Sequence, residues 1–297
     1  MACFHPLKAF KTDSGQICFQ ELKKHGGIAQ ALELPCGQCI GCRLERSRQW
    51  AMRCTHEAQQ HAVNSFITAT YNDENLPERG QLVYAHWQSF MRRLRKQTGK
   101  KIRFFVSGEY GETTERPHYH AIIFGHHWHD QTPLSQLGEQ KYFRSEILNR
   151  QWQKGNCVIG AVTFESAAYV ARYCLKKITG PGADEHYKRT DEKGDYEKTR
   201  EFAHMSLKPG IGKTWLDQYK TDIYPNDYVV VKGQKMKPPK YYDKKHKEEE
   251  PENAEWLEYE RTKKAETQLW NNEEKRLQVR ETVAKAKIKT TLKRDKV

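Results

Sequence analysis

The segment Arg116-Pro117-His118-Tyr119-His120-Ala121-Ile122-Ile123-Phe124 combines residue types and spacing that can do chemistry. On a strand, residues two apart point the same way. His118 and His120 therefore present both imidazoles on one face, while Tyr119, Ala121 and Ile123 alternate against the other. Two neutral imidazoles side by side make half of a divalent-metal site. Alone the His-x-His pair is a weak signal, because paired histidines on strands are often structurally bland. Upstream, Glu109 ends the neighbouring predicted strand in Ser107-Gly108-Glu109-Tyr110-Gly111. A hairpin between 102–108 and 118–124 could bring its carboxylate beside the imidazoles. Two His and one carboxylate leave positions open for water and substrate, and mixed N and O donors favour Mg²⁺ or Mn²⁺ as a Lewis acid on a phosphoryl oxygen.

A second constellation is Tyr169-Val170-Ala171-Arg172-Tyr173-Cys174-Leu175-Lys176-Lys177. On a helix Tyr169 and Tyr173 stand at i and i+4, so both phenols leave one face a turn apart. Lys176 and Lys177 bring positive charge near that face. A phenol is a poor nucleophile at its reference pKa of about 10, but beside a metal-bound phosphate and a lysine it can attack phosphorus. The competing reading is two aromatics packing a core face beside lysines that reach to solvent.

Eight cysteines occur, three of them in Cys36-Gly37-Gln38-Cys39-Ile40-Gly41-Cys42. The glycines let the backbone turn so that successive sulfurs face one ion, and zinc wants four S or N ligands in a tetrahedron. Cys54 is a poor fourth ligand, because a helix over Leu44–Gln60 would hold it ~18 Å from Cys42. Cys3, Cys18 and His5 remain, and the aromatic-flanked Cys3 is preferred. The alternative is a group of reduced thiols without metal.

The elements that must position these groups follow from periodicity. Strands are expected at Ser65–Tyr71, Ile102–Ser107, Tyr119–Phe124 and Asn156–Phe164. Helices are expected at 44–60, at 86–98, where Trp87, Phe90, Met91 and Leu94 form an apolar stripe, and from a Ser166 cap to about Lys177. A further helix is expected at Glu139–Trp152, a loop at Gly180–Asp195, and short elements at Ile211–Asp217 and Tyr228–Lys232. The histidines around Trp128 read as surface residues. Residues 1–42 show little periodicity, and the tail from Glu252 reads as one long charged helix. This mixture predicts an α+β fold with a central antiparallel sheet flanked by helices. Three segments are expected: 1–62, a Cys-rich zinc-knuckle leader with a basic helix; 63–247, the sheet domain; and 248–297, the charged helical tail.

The 297 residues carry 51 Lys and Arg against 38 acids, a net +13, with a mean hydropathy of −0.95. No apolar run approaches the ~18 residues of a membrane span, and the N-terminal stretch lacks a secretory h-region. The balance points to a polyanionic partner. Glu248–Val297 holds 12 acids and 12 Lys or Arg, so the whole excess lies in residues 1–247, where a phosphate-binding surface is expected.

Phe66–Tyr71, the Glu109 to His118-Tyr119-His120 block and Tyr169-x-x-x-Tyr173-x-x-Lys176-Lys177 occur in the order of the three motifs of HUH endonucleases. With the Cys36–Cys42 knuckle, the following Arg43–Trp50 and the start Cys3-Phe4-His5-Pro6-Leu7-Lys8, residues 1–180 resemble a gokushovirus (Microviridae) rolling-circle replication initiator of the two-tyrosine type. The resemblance implies an HUH-type fold and a single-strand DNA nickase and strand ligase. Glu109, His118 and His120 would be metal ligands, Tyr169 and Tyr173 nucleophiles, and Lys176 or Lys177 an assistant to the leaving oxygen. It implies single-stranded DNA at a phage origin as substrate, a host helicase and polymerase as partners, and the cytoplasm of a bacterial host as location. Two other readings are a non-catalytic zinc-stabilised DNA-binding regulator and a plasmid relaxase or HUH transposase.

Overall fold

The computed structural model describes residues 3–12, 14–19, 30–111, 113–173, 182–224 and 226–294. Two compact units are present, one of residues 1–46 with 252–297 and one of residues 47–251.

In the first unit, β1 (Leu7–Lys11), β2 (Ile17–Cys18) and β3 (Gln30–Leu34) form an antiparallel sheet in the order β2-β1-β3. The sequence shows little trace of it because β1 buries only Ala9 and β2 and β3 bury nothing fully, so no apolar alternation is needed. The cysteine knuckle follows and runs into α1 (Ile40–Gln59), which starts earlier than the periodicity indicated.

The second unit is built on β4 (Asn64–Thr70), α2 (Tyr84–Thr98), β5 (Arg103–Tyr110), β6 (Pro117–Phe124), β7 (Thr132–Leu137), β8 (Gln140–Arg144), α3 (Glu146–Trp152), β9 (Cys157–Gly160) and α4 (Phe164–Tyr173). It continues through α5 (Ala183–Tyr187), the hairpin of β10 (Lys188–Asp191) and β11 (Gly194–Glu197), β12 (Phe202–Met205), α6 (Lys213–Ile223) and α7 (Lys240–Glu249). Seven strands form one antiparallel sheet in the order β12-β5-β6-β4-β9-β8-β7.

Both faces of the central strands are covered. Ile67, Val106, Tyr119, Ala121 and Ile123 pack with Trp87, Phe90, Met91 and Leu94 of α2 and with Trp152 of α3. Each such large side chain contributes about 1.5–3 kcal/mol of burial, which holds α2 in register with the sheet. The opposite face sets Phe66, Phe105, Ile122 and Phe124 against Ala51 and Cys54 of α1 and Ala167 and Val170 of α4. At the sheet edge, Phe202 of β12 lies on Gly108, where an added Cβ would fall 2.7 Å from its ring. Glycine there lets the aromatic cover the strand next to Glu109.

Several expectations are corrected. Glu139–Trp152 is not one helix: the β7–β8 hairpin ends at Arg144, and α3 starts after Ser145, whose hydroxyl accepts from the Leu148 amide. The exposed hairpin lacks an apolar alternation to announce it. The expected loop 180–195 contains α5 and the β10–β11 hairpin, anchored by a bidentate pair between Arg79 and Asp191. Ser166 is not the cap of α4: Thr163 caps it, accepting from the Ser166 amide at 3.1 Å while its own amide donates to Ser166 Oγ at 2.8 Å, a reciprocal capping box. Trp128 is a core residue donating to Gln151 Oε1, although His127 and His129 beside it are exposed. The tail is two helices, α8 (Pro251–Glu266) and α9 (Glu274–Arg294), parted by a 3-10 turn at Leu269–Asn272. No Gly or Pro marks that break.

Candidate active site

The register of three adjacent strands assembles the site. Glu109 of β5 lies directly across from His118 of β6, and Ser107 across from His120. On the other side of β6, Thr68 of β4 lies across from His120 and Thr70 across from His118. Cross-strand partners share a face, so the carboxylate, both imidazoles and the Thr68 hydroxyl emerge together. His118 Nε2 is 2.8 Å and His120 Nε2 2.7 Å from the same oxygen, Glu109 Oε1. Cis ligands ~2.1 Å from one small dication stand roughly 3 Å apart, so the three donors fit a divalent cation.

The far ring nitrogens set the tautomers. His118 Nδ1 meets the Arg116 carbonyl at 3.1 Å. A carbonyl only accepts, so Nδ1 carries the hydrogen of the neutral ring and Nε2 keeps its lone pair. His120 Nδ1 lies 2.9 Å from Thr68 Oγ1, which supports the same arrangement. Such outer partners orient metal-binding imidazoles. Burial pushes the Glu109 carboxyl up, but its hydrogen bonds with His118 and His120, and their charge, outweigh that and hold it below the ordinary carboxylate value. Glu109 is 2% and His120 7% exposed at the side chain, against 18% for His118, so solvent and substrate reach the cluster past His118.

Above this cluster, α4 is seated by Ala167 and Val170, and Ser47 Oγ of α1 donates to the Ala168 carbonyl at 3.1 Å. That seating puts the Tyr169 ring against His120, edge to face, with centroids 5.1 Å apart. Phe66 supports both rings, stacked on His120 and edge-on to Tyr169. Tyr173 ends α4 one turn later. Its side chain, and all of Lys176 and Lys177, lie outside the described residues. Thr68 is the residue that motif reading passed over, although its place opposite His120 follows from pairing the two strands.

The cysteines form a second donor set. The sulfurs of Cys3, Cys36, Cys39 and Cys42 lie within 4.8 Å of one another, a group that could hold a metal ion. Amides of Phe4, Cys36 and Cys39 donate to sulfurs of the set at 3.3 Å each. Burial pushes the Cys39 thiol up, but the amides of Phe4 and Cys42 and the thiols of Cys42 and Cys36 outweigh it and bring it down to about 6. Four thiols this close cannot all ionise without a cation between them, and four sulfurs are a zinc donor set. Cys54 is buried in the sheet core instead.

Fold and site together define an α+β protein whose antiparallel sheet carries a two-histidine, one-carboxylate centre under a tyrosine-bearing helix. A family model for replication-associated proteins of the ORF2 type matches residues 64–178, the stretch containing β4 through α4. The chain is 34% identical over 270 residues to replication-associated protein VP4 of Bdellovibrio phage phiMH2K, covering 87% of this chain and 81% of that one. It is 31% identical over 273 residues to replication-associated protein ORF2 of Spiroplasma virus 4, covering 84% and 81%. It is 30% identical over 219 residues to replication-associated protein ORF4 of Chlamydia phage 1, covering 70% and 52%. The chain belongs to this family of phage replication-associated proteins, the Microviridae rolling-circle initiators. No solved structure matches it. Among the described residues, no helix is long and apolar enough to cross a membrane.

Proposed function

We propose that this chain is an HUH-type replication initiator that nicks and rejoins single-stranded DNA at a phage origin through tyrosine transesterification. The observation that carries the reading is the convergence of two imidazole Nε2 atoms on one carboxylate oxygen, with the Tyr169 ring against one of those imidazoles. Glu109, His118 and His120 would hold Mg²⁺ or Mn²⁺, which when bound supplies Lewis-acid polarisation of the scissile phosphate.

The Tyr169 oxygen attacks phosphorus after its phenol gives up its proton. The new bond joins tyrosine to the 5′ phosphate, and the bond to the 3′ oxygen breaks. That oxygen takes up a proton, with Lys176 or Lys177 as its assistant, and the free 3′-OH primes synthesis. Transesterification conserves the phosphodiester linkage, so the same protein can rejoin the ends. Once Tyr169 is occupied, a second nucleophile must cut the regenerated origin, the role assigned to Tyr173. The four-sulfur set is read as structural zinc with Cys3 as the fourth ligand. The setting is the cytoplasm of a bacterial host, with a host helicase and polymerase extending the primed strand.

The test is covalent capture. Protein, Mn²⁺ and origin single-stranded DNA should give a denaturant-resistant adduct. Tyr169→Phe and Tyr173→Phe should each retain DNA binding, and the double variant should form no adduct and leave the DNA intact. Residual nicking by a folded double variant would refute the tyrosine assignment.

A further inference from the structure

The tail is neutral as a whole, but the break between α8 and α9 sorts its charge. Residues 248–273 hold nine acids and three bases, whereas α9 holds eight Lys or Arg and only Glu274 and Glu281, a net +6. The expectation that phosphate contacts lie only within residues 1–247 took the tail as one body.

The seat of α9 determines which face solvent sees. Leu277 is buried, Glu281 meets His5 at 2.9 Å, and the Arg280 guanidinium stands 6.0 Å from the Phe4 ring. These positions share one helix face. Opposite them Val279 and Val283 form an exposed ridge, with Lys275 along one flank and Arg276 and Lys287 along the other. At the head of the helix Trp270 is 55% exposed, with the Arg276 guanidinium 5.5 Å from its ring.

We propose that this solvent face of α9, with Trp270 at its head, binds single-stranded DNA through residues other than those of the sheet centre. An unpaired strand offers apolar base faces beside a line of phosphates, and the helix offers an apolar ridge and an indole beside a line of cations. Base stacking on an exposed aromatic combined with backbone neutralisation is the recurring chemistry of sequence-tolerant strand binding. Duplex DNA keeps its bases inside and has no use for the ridge or the indole. An anionic bilayer needs a wide apolar face to bury, and two valines do not provide one. The proposal rests on membership of the replication-associated family and not on the tyrosine chemistry, so the sheet centre could be misread without affecting it.

Binding of the full chain to a labelled oligo(dT) strand, read by fluorescence anisotropy with no added divalent ion across 50–200 mM salt, tests it. Each phosphate neutralised on a single strand contributes a slope of about −0.7 in log K against log salt. Lys275→Gln, Arg276→Gln, Lys287→Gln and Lys289→Gln combined should flatten the slope by about 1.4 to 2.8, for two to four contacts. Glutamine keeps the helix propensity of lysine and arginine, and circular dichroism checks the fold. Trp270→Ala should weaken binding on the order of 10-fold with the slope unchanged. The Tyr169→Phe, Tyr173→Phe double variant should bind oligo(dT) like the parent, which separates this surface from cleavage. Unchanged slope and affinity in the folded charge variant overturn the proposal. So does unchanged DNA binding with lost binding to phosphatidylglycerol vesicles, which would assign the face to lipid.

Discussion

Thr68→Val is the sharpest probe of the sheet centre, because it alters neither a proposed ligand nor a nucleophile. Valine keeps the β-branched shape that suits β4 and removes only the hydroxyl 2.9 Å from His120 Nδ1. With that partner gone, the hydrogen of the neutral ring is free to move to Nε2, where Glu109 Oε1 at 2.7 Å accepts it. That tautomer has no lone pair for a cation. The direct loss is one hydrogen bond, about 1 kcal/mol, and the competing tautomer adds to it. Outer-partner changes of this kind cost roughly 10–100-fold in metal affinity, and we expect about 10-fold here. Calorimetric titration with Mn²⁺ in the absence of DNA should show the dissociation constant rising by that factor. The Mn²⁺ midpoint of adduct formation should move by the same factor while its plateau stays near the parent level. Thr68→Ser, which keeps the hydroxyl, should restore both. A Thr68→Val protein of unchanged thermal midpoint whose Mn²⁺ affinity stays within twofold of the parent would refute the tautomer argument.

Cys36→Ser should lower the thermal midpoint by more than ~5 °C, roughly 1–2 kcal/mol or more for a unit of this size, while the rate of adduct formation per folded molecule changes little. Equal stability with lost cleavage would remove the four sulfurs from a structural role. His56 gives a pH prediction: its ring stacks on Trp215 at 3.5 Å and faces the Tyr242 hydroxyl at 2.9 Å, and burial lowers its pKa to about 3. As pH falls below the ordinary histidine value, the unfolded chain takes up a proton that the folded chain refuses. This contribution is therefore complete above about pH 6.5 and is lost progressively toward pH 3, by up to about 1.4 kcal/mol per pH unit. Urea unfolding between pH 7 and 4.5 should show the decline, and His56→Phe should flatten it; parallel curves for the two proteins would exclude His56 as its source.

The alternation Tyr119, Ala121, Ile123 against His118, His120 fixes which side of β6 carries the imidazoles, and the stripe Trp87, Phe90, Met91, Leu94 fixes the buried face of α2. Periodicities of two and near four residues encode these features locally, so they are legible without coordinates. The cysteine spacing likewise announces a shared centre, and elimination along α1 leaves Cys3, 33 residues from Cys36, as the sulfur brought into it.

Pairing between distant strands and the seating of helices have no local signature, and the tertiary structure decided those. That Glu109 Oε1 serves both imidazoles depends on the β5–β6 register, in which a slip of one residue would turn the carboxylate to the other face. That Thr68 backs His120 depends on β4 lying on the far side of β6. The exposed β7–β8 and β10–β11 hairpins and the leader sheet bury too little apolar surface to imprint a pattern. The break at Leu269–Asn272, which carries no Gly or Pro, parts an acidic stretch from a basic helix. A one-dimensional charge count averages over that separation, because opposite charges cancel in a sum and not in space.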